Sequence, residues 1–77
     1  NPFSNQTMIP FHITARGIVK LEIYDVTGRL VGSFINKELS YGDYQTEFNS
    51  GDLESGIYYY KMSINNLSTT RKMIILK

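Results

Sequence analysis

The chain has 77 residues, 42% of them hydrophobic and 13% aromatic, with a formal net charge of +1 and no cysteine. That length holds one domain with a thin core, because so short a chain buries only about 60–65% of the surface its unfolded form exposes. The composition excludes disorder, disulfides and thiolate metal sites, the near-neutral charge argues against nucleic acid, and no apolar run approaches the roughly 18–20 residues of a membrane helix.

The chain opens on Asn1-Pro2-Phe3 without an initiator Met or a signal-peptide pattern, which points to one domain, residues 1–77, excised from a longer polypeptide. From there apolar and polar residues alternate with a period of two, and no 11-residue window carries a helical stripe. Ile9, Phe11 and Ile13 alternate with Met8, Pro10 and His12; Pro10 has no N–H for a ladder bond, so this strand belongs at a sheet edge. After a turn at Arg16-Gly17, Val19, Leu21 and Ile23 alternate with Lys20, Glu22 and Tyr24, giving a strand buried on one face. Asp25-Val26-Thr27-Gly28 closes it, Asp25 bonding its own backbone and Gly28 accepting a positive φ. Leu30 to Ile35 is the return strand, and the polar Asn36-Lys37-Glu38 reads as an outward loop unless residues 37–41 add a short strand. Tyr41-Gly42-Asp43 leads into a strand from Tyr44 to Phe48, and Asn49-Ser50-Gly51-Asp52 is a loop. After Gly56, Tyr58, Tyr60, Met62 and Ile64 alternate with Ile57, Tyr59, Lys61 and Ser63 in the longest strand. Asn65-Asn66 turns the chain into a last strand from Arg71 to Leu76.

Six or seven short strands with turns every 8–12 residues predict an all-β, immunoglobulin-like antiparallel sandwich, with a small barrel as the rival. The predicted core is Ile9, Phe11, Val19, Leu21, Ile23, Val31, Phe48, Tyr58, Tyr60 and Met62. Leu53-Glu54-Ser55-Gly56-Ile57-Tyr58 places a Tyr at the corner where such sandwiches send a hydroxyl back to the backbone, the alternative being an ordinary strand aromatic.

Little in the chain reads as catalytic chemistry. His12 is the sole histidine and reads as an exposed strand-face residue, with no Cys or carboxylate cluster near it in sequence to build a zinc site. No Gly-x-Ser-x-Gly elbow, calcium loop or phosphate-binding loop is present, so the sequence predicts no enzyme, no metal and no cofactor. Asn5-Gln6-Thr7 and Asn66-Leu67-Ser68 match the glycosylation sequon, a frequent chance match. Tyr24, Tyr41 and Tyr59 are candidates for exposure, which keeps an accessory immunoglobulin-like or carbohydrate-binding module of a surface enzyme in view. Charge is uneven: residues 1–54 hold four basic against seven acidic side chains, while residues 55–77 hold Lys61, Arg71, Lys72 and Lys77 and no acid. Such asymmetry marks either an interaction segment or a solvated face.

Five stretches, taken in order, resemble the type A C-terminal sorting domain of the type IX secretion system of Bacteroidetes. They are Asn1-Pro2-Phe3 with Thr7-x-Ile9; Val19-x-Leu21-x-Ile23-Tyr24-Asp25-x-x-Gly28-Arg29-x-Val31; Gly42-x-Tyr44; Leu53-x-Ser55-Gly56-Ile57-Tyr58-Tyr59-Tyr60; and Thr70-Arg71-Lys72-Met73-Ile74-Ile75-Leu76-Lys77. Phe48-Asn49 departs from the family, whose members often carry Trp-Asp there. The resemblance implies a carrier role, with the domain behind an N-terminal cargo that passes through the periplasm to the outer membrane, the cell surface or the medium. The implied partners are the outer-membrane translocon, its shuttle proteins and a C-terminal signal peptidase with sortase-like activity, which typically removes the domain as the cargo is anchored. The family motif falls on Asn1, Pro2, Asp25, Gly28, Gly42 and Tyr44, and the expected recognition element on Gly56, Tyr58, Arg71, Lys72 and Lys77. The last strand either offers its edge to a partner or lies buried as a central strand.

Overall fold

The computed structural model describes residues 2–77, for Pro2 and Phe3 the backbone alone; Asn1 lies outside the described residues. The strands are β1 (Pro2–Phe3), β2 (Gln6–Ile13), β3 (Gly17–Asp25), β4 (Leu30–Leu39), β5 (Gly42–Asn49), β6 (Gly56–Ile64) and β7 (Leu67–Ile75). They form a five-stranded sheet in the order β1-β7-β6-β3-β4 and a two-stranded sheet, β2-β5. The sheets are open, so the chain is an immunoglobulin-like sandwich and not a barrel. Every pairing is antiparallel except the short contact of β1 with β7, where Pro2 and Phe3 run parallel beside Ile74 and Ile75.

The period-two pattern acts as predicted along β3, whose inward Val19, Leu21 and Ile23 are fully buried. They face β6, where Leu21 lies opposite Met62 and Ile23 opposite Tyr60. The two-stranded sheet contributes Ile9 and Ile13 from β2 and Phe48 from β5, all buried. Phe34 meets Phe48 edge-on with ring centroids 5.0 Å apart, and Phe11 stacks on its cross-strand partner Tyr44 at 5.5 Å. Of the predicted core, Phe11, Val31 and Tyr60 are half-buried and pack against it, whereas Ile13, Met73 and Ile75 are buried members that the predicted list omits.

Two strands run further than predicted. Asn36-Lys37-Glu38 is not a loop: β4 continues to Leu39, with Asn36 opposite Lys20, Lys37 opposite Val19 and Glu38 opposite Ile18. Register shifts in the β3–β4 pairing between Leu21 and Glu22 and between Ile23 and Tyr24 break the inward–outward alternation of β4. Likewise β7 starts at Leu67 and not Arg71, and its first six residues are exposed. Pro10 sits where the sequence puts it, since among the described residues β2 pairs only with β5.

Among the described residues Phe48 is the largest fully buried side chain, and truncating it opens a cavity in the core. Phe48→Ala should lower stability by about 3–5 kcal/mol in urea titrations followed by circular dichroism.

Candidate functional site

The recognition residues expected from the sequence fall where β6 begins and β7 ends. Gly56 lies opposite Ile75 and Tyr58 opposite Met73, so the corner and the last strand are hydrogen-bonded neighbours. Tyr58 is 9% exposed and its hydroxyl donates to the Glu54 carbonyl at 2.8 Å, the corner bond expected of an immunoglobulin-like sandwich. A second corner repeats the geometry at the opposite end: the Tyr44 hydroxyl donates to the Ser40 carbonyl, also at 2.8 Å. Each corner opens on a glycine, Gly42 at φ 149° and Gly56 at φ 155°, a conformation that a side chain on Cα disfavours.

The basic residues of the last strand do not act as one cluster. Arg71 lies opposite Tyr60 and shares the inner face of the large sheet, whereas Lys72 lies opposite Tyr59 and points outward. Lys77 is tied down: its backbone N–H donates to Ser55 Oγ at 2.8 Å and its ammonium to the Gly51 carbonyl at 2.6 Å. Beside it Ser50, which the sequence reading treats only as a turn residue, is 3% exposed. Its hydroxyl donates to the Ser4 carbonyl at 2.8 Å and its N–H to the Asn5 carbonyl at 2.9 Å, fastening the loop before β6 to the link between β1 and β2. The signal for this anchor, a serine between turn formers, is too common to single out.

Asp25 and Gly28 form the β3–β4 turn at this same end of the sandwich. The Asp25 carboxylate accepts from the Thr27 hydroxyl at 2.6 Å, from the N–H groups of Thr27 and Arg29, and from Arg29 Nε at 3.2 Å. Gly28 adopts φ 90° and donates to the Asp25 carbonyl at 3.0 Å. The Thr27 hydroxyl foremost, then the backbone donors and the Arg29 side chain, hold the carboxylate's pKa at about 2, below its ordinary 3.8, against partial desolvation that acts the other way.

Elsewhere, His12 is exposed as predicted, but the fold brings it a carboxylate from 31 residues away. Its Nδ1 lies 2.5 Å from Asp43 Oδ1, with Tyr41 edge-on to the ring. Of the tyrosines considered for a sugar-binding face, Tyr41 is 72% exposed, whereas Tyr24 and Tyr59 are half-buried side by side on β3 and β6. Among the described residues no cluster of three or more His, Asp or Glu side chains converges to hold a metal ion. No helix there is long and apolar enough to cross a membrane.

The profile of the family described as "Secretion system C-terminal sorting domain" matches residues 1–76. None of the curated proteins and none of the solved structures compared matches the chain.

Two outcomes follow from this geometry. Tyr58→Phe should cost about 1 kcal/mol, the typical net value of one hydrogen bond, and Tyr44→Phe less because its hydroxyl is exposed, both read from urea midpoints. A carboxyl whose pKa is depressed by folding stabilises above its unfolded pKa and ceases to do so as pH falls through the folded one. The stability advantage of the native chain over Asp25→Asn should therefore be full at pH 5 and above and disappear between about pH 4 and pH 2 in pH-dependent denaturation.

Proposed function

The chain belongs to the secretion system C-terminal sorting domain family, and from that premise we propose which surface serves as the address and what becomes of the domain. Membership makes the chain a C-terminal sorting signal for type IX secretion, which works with that system on an N-terminal cargo and directs export toward the cell surface or the medium. The family is one of signals and not of enzymes, and it favours this reading over an accessory sugar-binding module.

Beyond that, residues 1–77 form one domain of a larger cargo protein and act as substrate and ligand, without catalysis of their own. The domain crosses the periplasm, is met by the shuttle proteins and the outer-membrane translocon, and is removed by the C-terminal signal peptidase as the cargo is anchored. The element read by this machinery is β7 with the Gly56–Tyr58 corner.

The observation that carries the assignment to β7 is its free edge. β6 covers one side along the whole strand, but on the other side β1 reaches only Ile74 and Ile75, so Leu67 to Met73 have no neighbouring strand among the described residues. An open edge supplies main-chain donors and acceptors for strand addition, with the alternating side chains giving selectivity. Arg71 and Lys72, flanking that edge, also protect it from indiscriminate pairing between copies.

Deleting residues 70–77 would confound recognition with unfolding, because Met73 and Ile75 belong to the core. Lys72→Glu is the cleaner variant: the side chain is exposed, and such changes shift stability by less than about 0.5 kcal/mol. A reporter fused ahead of residues 1–77 should reach the cell surface of a type IX-competent host, and Lys72→Glu should slow its export. Normal export of the folded variant would show that Lys72 serves solubility alone.

A further inference from the structure

We infer that the trough between β2 and β7 is a binding site for an acidic, extended segment of a partner protein, seated as a third strand of the two-stranded sheet. The inference rests on the sorting reading and adds the site's position and the chemistry of its ligand. Two strands do not cover five, and the uncovered part of the large sheet's inner face lies beyond β2. A cavity of about 420 Å³ opens there, with Ile9 and Phe11 on its β2 wall, Met62 and Ile64 on its β6 floor, and Leu67 and Arg71 on β7. A second cleft of about 540 Å³ continues it along β7 to Lys72 and Met73, sharing Ile9, Pro10, Tyr60 and Arg71 with the first. The trough therefore follows β7 from Leu67 to Met73, roughly 20 Å at about 3.3 Å per residue, enough for an extended hexapeptide.

The occupant's form follows from the walls. β2 has β5 on one side and no strand on the other among the described residues, so its outer edge presents main-chain groups at strand spacing, Pro10 excepted. The floor is part apolar, from Met62, Ile64 and Leu67, and part polar, from Thr69 and Arg71; Leu67, an inner-face residue of β7, remains 76% exposed. Inner-face positions of β7 recur at Leu67, Thr69 and Arg71, so a strand laid over them meets an apolar position and, four residues along, a cation. The charged and titratable groups along the trough are Arg71 from β7, Tyr60 from β6 and His12 from β2, the last already paired with Asp43, while Lys72 at the far end turns to the outer face; no carboxylate lines either cleft. None of the seven acidic residues lines either cleft, Asp43 reaching it only as the partner of His12, so Arg71, which has no ion pair among the described residues, gives the trough its positive charge. A segment with apolar side chains at alternate positions and a carboxylate opposite Arg71 satisfies edge, floor and charge together.

The test uses the full chain and two acetylated, amidated hexapeptides of alternating Val and Thr, one bearing a Glu and the other a Lys at an inward-facing position. Binding is followed by fluorescence anisotropy and amide chemical shifts. The acidic peptide should bind, more weakly at high salt, and should shift amides of Ile9, Phe11 and His12 on β2 and of Leu67 to Arg71 on β7. Arg71→Glu and Leu67→Glu, both at exposed positions, should weaken it by about tenfold and favour the basic peptide, whereas Lys20→Glu, the same charge change on the outer face, should leave it unchanged. Equal binding of both peptides, binding of neither, or shifts confined to the outer face would overturn the inference. So would a concentration-dependent dimer lost in Arg71→Glu, which would assign the trough to a second copy. In cells, failure of the native fusion to be exported would count against the sorting reading itself. Export of the native and folded Arg71→Glu fusions at equal rates would overturn the trough alone.

Discussion

A two-stranded sheet has to bury one face of a five-stranded sheet, and the rest of the molecule is arranged around that mismatch. Where β2 and β5 overlap β3 and β6, the side chains close completely: Val19, Leu21, Ile23, Ile13 and Phe48 are all at 0% exposure. Each such side chain is worth roughly 1.5–3 kcal/mol relative to exposure, so this small overlap carries most of the apolar stabilisation. Along β7 before Met73 the same period-two alternation continues, but the inward residues have nothing above them. Leu67, Thr69 and Arg71 lie on the inner face of β7 and are exposed all the same. The trough is the direct geometric consequence of the missing third strand.

A core this narrow leaves the ends of the sandwich to be held by polar contacts. At the end where β6 begins, the Tyr58 hydroxyl, the Ser50 anchor, the saturated Asp25 turn and the Lys77 ammonium each engage backbone or turn groups. These bonds link the segment after β7 to the loop at residues 50–55, and that loop to the segment before β2. Lys77 therefore forms part of the folded end. Arg71 and Lys72, adjacent in sequence and both basic, serve different surfaces because strand geometry sends neighbours to opposite faces. The edge of β7 thus carries a different cation on each face.

The parts of this fold legible in the sequence are those where one physical cause acts alone. The β3 row of Val19, Leu21 and Ile23 alternates cleanly because one face is buried and the other solvated. Asp25 and Gly28 announce their turn because only a self-bonding side chain and a positive φ fit it. The Tyr58 corner follows from a Leu, a Gly and a Tyr at the spacing that such a corner needs. The illegible parts are strand segments without an apolar partner. Asn36-Lys37-Glu38 extend an edge strand past its bulges, where ladder bonds to β3 hold residues whose polarity reads as loop. Ser68, Thr69 and Thr70 are strand for the same reason, held by β6 and covered by nothing. His12 and Asp43 meet only through the β2–β5 register, a pairing no local pattern encodes.

The hidden strand segments and the candidate recognition surface coincide for a physical reason. Sequence patterning reports burial, and a strand left uncovered lacks the buried face that would reveal it. The polar first half of β7 thus reads as loop in isolation and becomes a strand only because β6 supplies its hydrogen bonds. Its far end is anchored differently, by Met73 and Ile75 in the core and by β1 alongside Ile74 and Ile75. One strand accordingly has an end fixed by packing and an end fixed by main-chain pairing alone. The second end retains an open edge, with Leu67, Thr69 and Arg71 exposed on its inner face.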